Sequence, residues 1–215
     1  MFQGSIVALV TPMTKNGELD IPCLRKLVEL HIEQGTDGIV VNGTTGENPT
    51  LTHSEKSRLV AECVKVAAGR IPIIAGTGTY STQESIELTK EAMDLGADAC
   101  ILVTPYYNRP TQEGLYQHYK KVAETVPIPI ILYNVPGRTG CDLLPETVAR
   151  LSQISNIVAI KDATGDLTRC KALKEAVGDK MDLLSGDDPS ALAFMLQGGK
   201  GVISITSNVA PKKNA

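Results

Sequence analysis

Short apolar runs rich in β-branched residues recur along the chain. Each gives way to a loop of Gly, Thr, Pro and Asn and then to an amphipathic stretch. The runs cover residues 5–10, 38–41, 71–75, 99–103, 129–132, 157–160, 182–184 and 202–205. Between them apolar residues return every three or four positions, the period of a helix with one buried face. The pattern predicts helices over 21–34, 54–68, 81–95, 113–126, 145–153, 167–177 and 189–197. Ser81 is a natural N-cap, with Glu84 three residues on. Gly35, Gly69, Gly96, Gly178 and Gly198 stand where helices are expected to stop.

Strand-like runs alternating with helical stretches predict an α/β fold with a parallel sheet and right-handed crossovers. Eight runs are the number that closes a (β/α)8 TIM barrel, here a single domain over residues 1–215. An open doubly wound sheet is the alternative, but no GxGxxG turn follows the first run. Only residues 206–215 follow the last run, so the expected barrel lacks an eighth helix. The flank of its first and eighth strands should then present apolar surface, as a fragment would or as an associating protein covers.

Composition narrows the class without fixing it. The 215 residues carry a net charge of -3 with 21% charged and 42% hydrophobic side chains, which speaks against a nucleic-acid-binding surface and against disorder. Cys23, Cys63, Cys100, Cys141 and Cys170 are odd in number, scattered and without a CxxC pair, as expected of reduced thiols in a cytoplasmic protein. No apolar run approaches the ~20 residues that span a bilayer, and the N-terminus predicts no signal peptide.

The candidate chemistry lies where the runs end. Side chains alternate along a strand, so Lys161 is predicted to share one face with Ile157 and Ala159, at the barrel mouth. An ammonium held out of water loses its proton more readily, and the neutral amine can attack a carbonyl. The plain alternative is a lysine opening a solvated loop. After the second run, Asn42-Gly43-Thr44-Thr45-Gly46-Glu47 could form a nest of N–H groups and hydroxyls for a small carboxylate, or a simple glycine-rich turn. After the fourth, Tyr106 and Tyr107 in a proline-bracketed segment must point in opposite directions; one can face its own mouth and the other a neighbouring subunit, the plain alternative being an aromatic plug over the barrel top. After the fifth, Tyr133 could move protons beside a neutral lysine, while Arg138 could grip a carboxylate or pair with Asp142 or Glu146. Gly186 could let a ligand approach the backbone, and Asp187 and Asp188 read as helix-start residues rather than metal ligands. His53 alone of the three histidines lies near these loops.

Gly43-Thr44-Thr45-Gly46-Glu47, Tyr133-Asn134-Val135-Pro136 with Arg138-Thr139-Gly140, and Ile160-Lys161-Asp162 resemble the dihydrodipicolinate synthase family of pyruvate-dependent class I aldolases. The similarity runs from Gly4 to about Val209. It implies a (β/α)8 barrel followed in the family by an eighth helix and a C-terminal helical domain. It also implies a lyase in lysine and diaminopimelate biosynthesis. Lys161 would form a Schiff base with pyruvate, and the resulting enamine would add to L-aspartate-4-semialdehyde. Tyr133 would be the general acid/base. Thr44 and Tyr107, the latter from a neighbouring subunit, would complete a proton relay. Thr45 and the Ile203 backbone would hold pyruvate, Arg138 the semialdehyde carboxylate. No organic cofactor or catalytic metal is implied, and the family assembles as a dimer of dimers. His53, Glu84 and Tyr106 match positions of a lysine effector site. Lys56 and Tyr80 depart from the expected His and Asn, which predicts weak or absent lysine inhibition. Two other readings stay open: an N-acetylneuraminate or keto-sugar-acid lyase, and a catalytically silent barrel.

Overall fold

The computed structural model describes residues 2–215, in which eight parallel strands close into one barrel. They are β1 (Gly4–Ala8), β2 (Gly38–Val41), β3 (Ile73–Gly76), β4 (Ala99–Val103), β5 (Ile130–Asn134), β6 (Ile157–Asp162), β7 (Asp182–Ser185) and β8 (Gly201–Ser204). Closure rests on β1, which pairs with β2 through Ile6–Gly38 and with β8 through Ile6–Ile203. That pairing removes both sheet edges and excludes the open doubly wound alternative.

Strand alternation sorts the apolar side chains into two layers. Ile6, Val40, Ile74, Ile101, Ile131, Leu184 and Ile203 fill the barrel interior. Val7, Ile39, Leu102, Leu132, Ile160 and Leu183 pack outward against the helices. Each fully buried aliphatic side chain contributes roughly 1.5–3 kcal/mol, so the outer layer fixes the helices to the strands.

The helices are α1 (Ile21–Glu33), α2 (His53–Ala67), α3 (Thr82–Asp94), α4 (Gln112–Thr125), α5 (Pro136–Thr139), α6 (Pro145–Leu151), α7 (Leu167–Val177), α8 (Ala191–Leu196) and α9 (Pro211–Asn214). Ser81 caps α3 as expected, accepting from the Glu84 N–H at 3.3 Å. α2 starts one residue before the predicted boundary because Thr52 and Glu55 form a reciprocal capping box. It ends on Ala68, itself in the left-handed region at φ 48°, just ahead of Gly69. The predicted helix over 189–197 divides into a 3-10 turn, Asp188–Ser190, and the shorter α8.

Three departures from the sequence expectation concern the site. In the β5–β6 register Ile130 opposes Ile157, but Ile131 opposes Ala159, so Val158 is extra. This bulge breaks the alternation: Ala159 faces the barrel interior while Ile157 packs in the outer layer. Lys161 therefore shares its face with Ala159 and not with Ile157. Second, the segment read as loop after β5 contains α5, whose four residues are too few to show a helical period. Third, the chain after β8 forms a 3-10 turn, Thr206–Asn208, and α9. Asn214 there donates from Nδ2 to Ser204 Oγ and Ser207 Oγ, both at 2.6 Å. Around β8 and α8 the apolar Leu192, Leu196, Ile205 and Val209 stand exposed.

Candidate active site

Tyr133 and Lys161 are direct register partners near the C-terminal ends of β5 and β6. Both face inward and are almost fully buried, at 8% and 7% exposure. The Lys161 Nζ lies 4.2 Å from the centroid of the Tyr133 ring. Burial lowers the Lys161 amine from its ordinary 10.5 to about 8; Asp188 pulls it up again and Arg138 pushes it down. Desolvation is the largest of these effects, as expected where a point charge loses its water. Burial raises the Tyr133 phenol, against opposing contributions from a Thr44 hydrogen bond and the Arg138 charge. At neutral pH the phenol keeps its proton and the amine gives up part of its own.

A cavity of about 640 Å³ opens above this pair, lined among others by Thr44, Asn48, Tyr106, Tyr107, Tyr133 and Arg138. Lys161 does not line it directly; its amine lies against the Tyr133 ring, which does. Arg138 projects from the exposed turn of α5. Asp142, one partner considered for it, is taken by Arg169 at 2.5 Å. The Thr139 hydroxyl, buried in the same turn, shares its one hydrogen between the Cys141 carbonyl at 2.9 Å and the Val135 carbonyl at 3.2 Å and so ties the α5 backbone beneath Arg138.

The Thr44 loop is held from both sides. Gly46 and Glu47 N–H groups close turns onto Gly43 and Thr44 carbonyls, and Thr11 Oγ1 donates to the Gly46 carbonyl at 2.6 Å. Among the described residues, the Thr44 and Thr45 N–H groups have no backbone acceptor. Asn48 Nδ2 donates to the Asn42 carbonyl at 2.6 Å and the Gly76 carbonyl at 3.2 Å, tying the loop to β3. Gly76 is required there: a Cβ would stand 2.0 Å from the Asn42 carbonyl oxygen. Asn42 itself is in the left-handed region at φ 57°, where Asn is among the tolerated residues.

The β7 and β8 ends close the opposite side. Gly186 abuts the Lys161 side chain. Asp187 accepts from Ser190 N–H and Oγ, and so starts the 3-10 turn as its sequence position suggested. Asp188 does more. Its Oδ2 accepts from Ile205 N–H, Thr206 N–H and Thr206 Oγ1 at 3.0, 2.9 and 2.8 Å. These bonds, with one from Ser204, outweigh burial and hold its carboxyl below the usual range. It is also the carboxylate that acts on Lys161. Ile203, 1% exposed, sits in the barrel interior on β8.

Tyr107 is 91% exposed and left-handed at φ 67°. Tyr106 turns the other way, edge-on to Tyr80 with centroids 5.4 Å apart. Burial, then Glu84 and then Tyr80, raises the Tyr106 phenol, which places Glu84 beside that pair. His53 instead engages Glu91 at 2.7 Å, in line with Ser57.

Sequence reasoning assigned no site role to Asn48, Asn134 and Asp162, and marked Asp188 only as a helix-start residue. An Asn beside a glycine-rich turn and an Asp before Pro189 are generic loop residues, and their long-range partners become visible only on folding. Asn134 and Asp162 follow Tyr133 and Lys161 directly, and their polarity at strand ends was the available signal.

A closed parallel barrel with its ionisable and polar groups gathered at the strand C-terminal ends defines a TIM-barrel enzyme. The chain belongs to the dihydrodipicolinate synthetase family, which it matches over residues 1–215. It is 63% identical over 212 residues to 4-hydroxy-tetrahydrodipicolinate synthase of Nitrosococcus oceani, covering 99% of this chain and 73% of that protein. The enzyme of the same name from Methylococcus capsulatus is 61% identical over 212 residues, with the same coverage of 99% and 73%. Among solved structures, the chloride-inhibited dihydrodipicolinate synthase of Acinetobacter baumannii complexed with pyruvate superposes with a TM-score of 0.98. It is 62% identical and covers 100% of this chain and 74% of that one.

Proposed function

We propose that this chain is a lyase that condenses pyruvate with L-aspartate-4-semialdehyde to give 4-hydroxy-tetrahydrodipicolinate, in lysine and diaminopimelate biosynthesis. The observation that carries the reading is the buried Lys161 amine, with a pKa lowered to about 8, paired across the register with a protonated Tyr133. Supporting it are the similarity to named synthases and a pyruvate complex among the structural relatives.

In this scheme the Lys161 Nζ lone pair attacks the pyruvate ketone carbon. The carbonyl oxygen takes one proton from the attacking amine and a second from the Tyr133 phenol and leaves as water, giving the iminium and the Tyr133 phenolate. The Tyr133 phenolate takes a methyl proton to yield the enamine, whose carbon bonds to the semialdehyde aldehyde carbon while that proton passes to the aldehyde oxygen. The semialdehyde amino group then displaces Lys161 by transimination, which closes the ring and frees the amine. The iminium itself accepts the electron pair, so the scheme needs no organic cofactor.

The remaining roles follow the same placement. Thr44 hydrogen-bonds the Tyr133 phenol and continues the proton path. Thr45 and the Ile203 backbone hold pyruvate, with Gly186 beside the lysine. Arg138, on the cavity wall, receives the semialdehyde carboxylate in a charge-assisted bond. Tyr107 serves the site of a neighbouring subunit in a homo-oligomer, the family's dimer of dimers. Its exposure and its left-handed backbone, costly for an aromatic residue, support a function outside its own chain. His53, Glu84 and Tyr106 form the effector region, with Glu84 beside Tyr106 and His53 paired with Glu91 on α3. Among the described residues no helix is long and apolar enough to cross a membrane, which agrees with a cytoplasmic setting.

The direct test is turnover with both substrates. Pyruvate consumption should require the semialdehyde and vanish in Lys161→Ala. Cleavage of a pyruvate-derived sugar acid without semialdehyde condensation would contradict the assignment.

A further inference from the structure

Directly beyond the inward Tyr133–Lys161 pair, the next register partners are Asn134 and Asp162, the last residues of β5 and β6. They face away from the barrel interior and are 0% and 3% exposed. Asn134 Nδ2 donates to Asp162 Oδ2 at 3.0 Å and to Asp142 Oδ1 at 2.8 Å. Its Oδ1 accepts from the Leu143 N–H at 3.0 Å. Both amide hydrogens and the amide oxygen are thereby engaged. Asp162 Oδ1 accepts from Thr164 N–H at 3.0 Å and Thr164 Oγ1 at 2.5 Å. Asp142 Oδ2 completes the chain by accepting from Arg169 on α7 at 2.5 Å.

The same two residues are tied through their backbones. The Ala163 N–H donates to the Asn134 carbonyl, and the Gly186 N–H to the Asp162 carbonyl. A strand's last residue is where the ladder ends and fraying begins, so main-chain bonds alone hold it loosely. Here a side-chain network, paired throughout except at Arg169 Nη1, spans β5, β6, α7 and the 141–144 segment that closes the α5 turn. Apolar packing could fill such a position without the desolvation cost of two carboxylates and a guanidinium. The directional bonds at Asn134 and Asp162, in contrast, are all made and restrict the two strand ends to a narrow range of geometries.

We propose that Asn134 and Asp162 are positioning residues: from behind the strands they fix the Tyr133 phenol against the Lys161 amine and anchor the segment that carries Arg138. The inference rests on the proposed synthase reading, and its test separates the two. Asn134→Ala, Asp162→Asn and Asp162→Glu are compared with the unaltered chain in three measurements. These are steady-state condensation, the rate of borohydride trapping at saturating pyruvate, and thermal unfolding followed by circular dichroism.

Asn134→Ala and Asp162→Asn should lower kcat and the trapping rate about tenfold or more while pyruvate KM stays within about threefold, because alignment and not binding is lost. Asp162→Glu keeps the carboxylate and should recover most of the rate. Should Asn134→Ala not fold, Asp142→Asn at the more exposed end carries the same expectation at about threefold. Kinetics unchanged from the unaltered chain, or a loss that merely tracks the unfolded fraction, would overturn the positioning role. An unaltered chain that fails to trap pyruvate overturns the synthase reading instead.

Discussion

A Cβ added to Gly186 would stand 2.7 Å from Cε of Lys161 and 2.7 Å from Cβ of Ala163. The β7 loop thus leaves the lysine side chain the space of one missing methyl group, between two strand ends whose backbones are bonded together. The glycine follows from the room that the Lys161 methylenes take, since side-chain contacts this close must be relieved by movement. Gly186→Ala should leave the barrel folded, displace the amine, and slow pyruvate trapping by about tenfold. Trapping at the unaltered rate would show that Lys161 has another route to its substrate.

The pH dependence follows from the lowered Lys161 amine. Imine formation should rise with pH, pass its midpoint near the amine's value of about 8, and level off above it. Asp188 raises that value and Arg138 lowers it, so Asp188→Asn should move the midpoint down and Arg138→Ala should move it up. Shifts in one common direction would contradict this electrostatic picture of the site.

The same group has a signed effect on stability. The unfolded lysine keeps its proton up to its ordinary 10.5, while the folded one gives it up near 8. Between these values the unfolded chain binds more protons, so this residue's contribution to stability rises with pH. Below about pH 8 both states are charged and the burial penalty is present in full. Lys161→Met should therefore be more stable at pH 7 by roughly 1–3 kcal/mol, read from urea unfolding. A destabilised Lys161→Met would mean that the ammonium is well solvated in the fold.

Arg138 stands on the cavity wall and acts on Tyr133 and Lys161 through its charge. Arg138→Ala should lower kcat/KM for the semialdehyde by about a hundredfold or more and, measured above the Lys161 midpoint of each protein, leave pyruvate trapping at saturating pyruvate largely intact. An equal loss in both steps would remove its assignment to the second substrate.

Lysine inhibition should be weak or absent. Lys56 lies on α2, the same helix as His53, whose ring is already paired with Glu91. A cationic effector would meet an added positive charge there. Inhibition at sub-millimolar lysine in a steady-state assay would contradict this expectation.

Much of this site could be read from the order of residues. The strand and helix periods place Thr44 after β2, Tyr133 and Lys161 at the ends of β5 and β6 and Arg138 just after β5, and barrel closure brings those strand ends to one mouth. What stayed hidden depends on distance in the chain. The β6 bulge, which turns Ile157 outward, comes from a mismatch between two strands and leaves no mark on either alone. Asp188 bonding to Ile205 and Thr206 joins two loops, and Asn134 bonding to Asp162 joins two strand ends, that only folding makes neighbours. The α5 turn is too short for any period to reveal, and its Pro136 reads equally well as part of a loop.

The central claim is that the Lys161 amine forms an imine with pyruvate. Incubation with pyruvate and borohydride, followed by intact-protein mass spectrometry, tests it most directly. One adduct per chain is expected, heavier by pyruvate less one water plus two hydrogens, mapped to Lys161 and absent in Lys161→Ala. A folded, unaltered chain that gains no mass, or gains it at another lysine, would contradict the account.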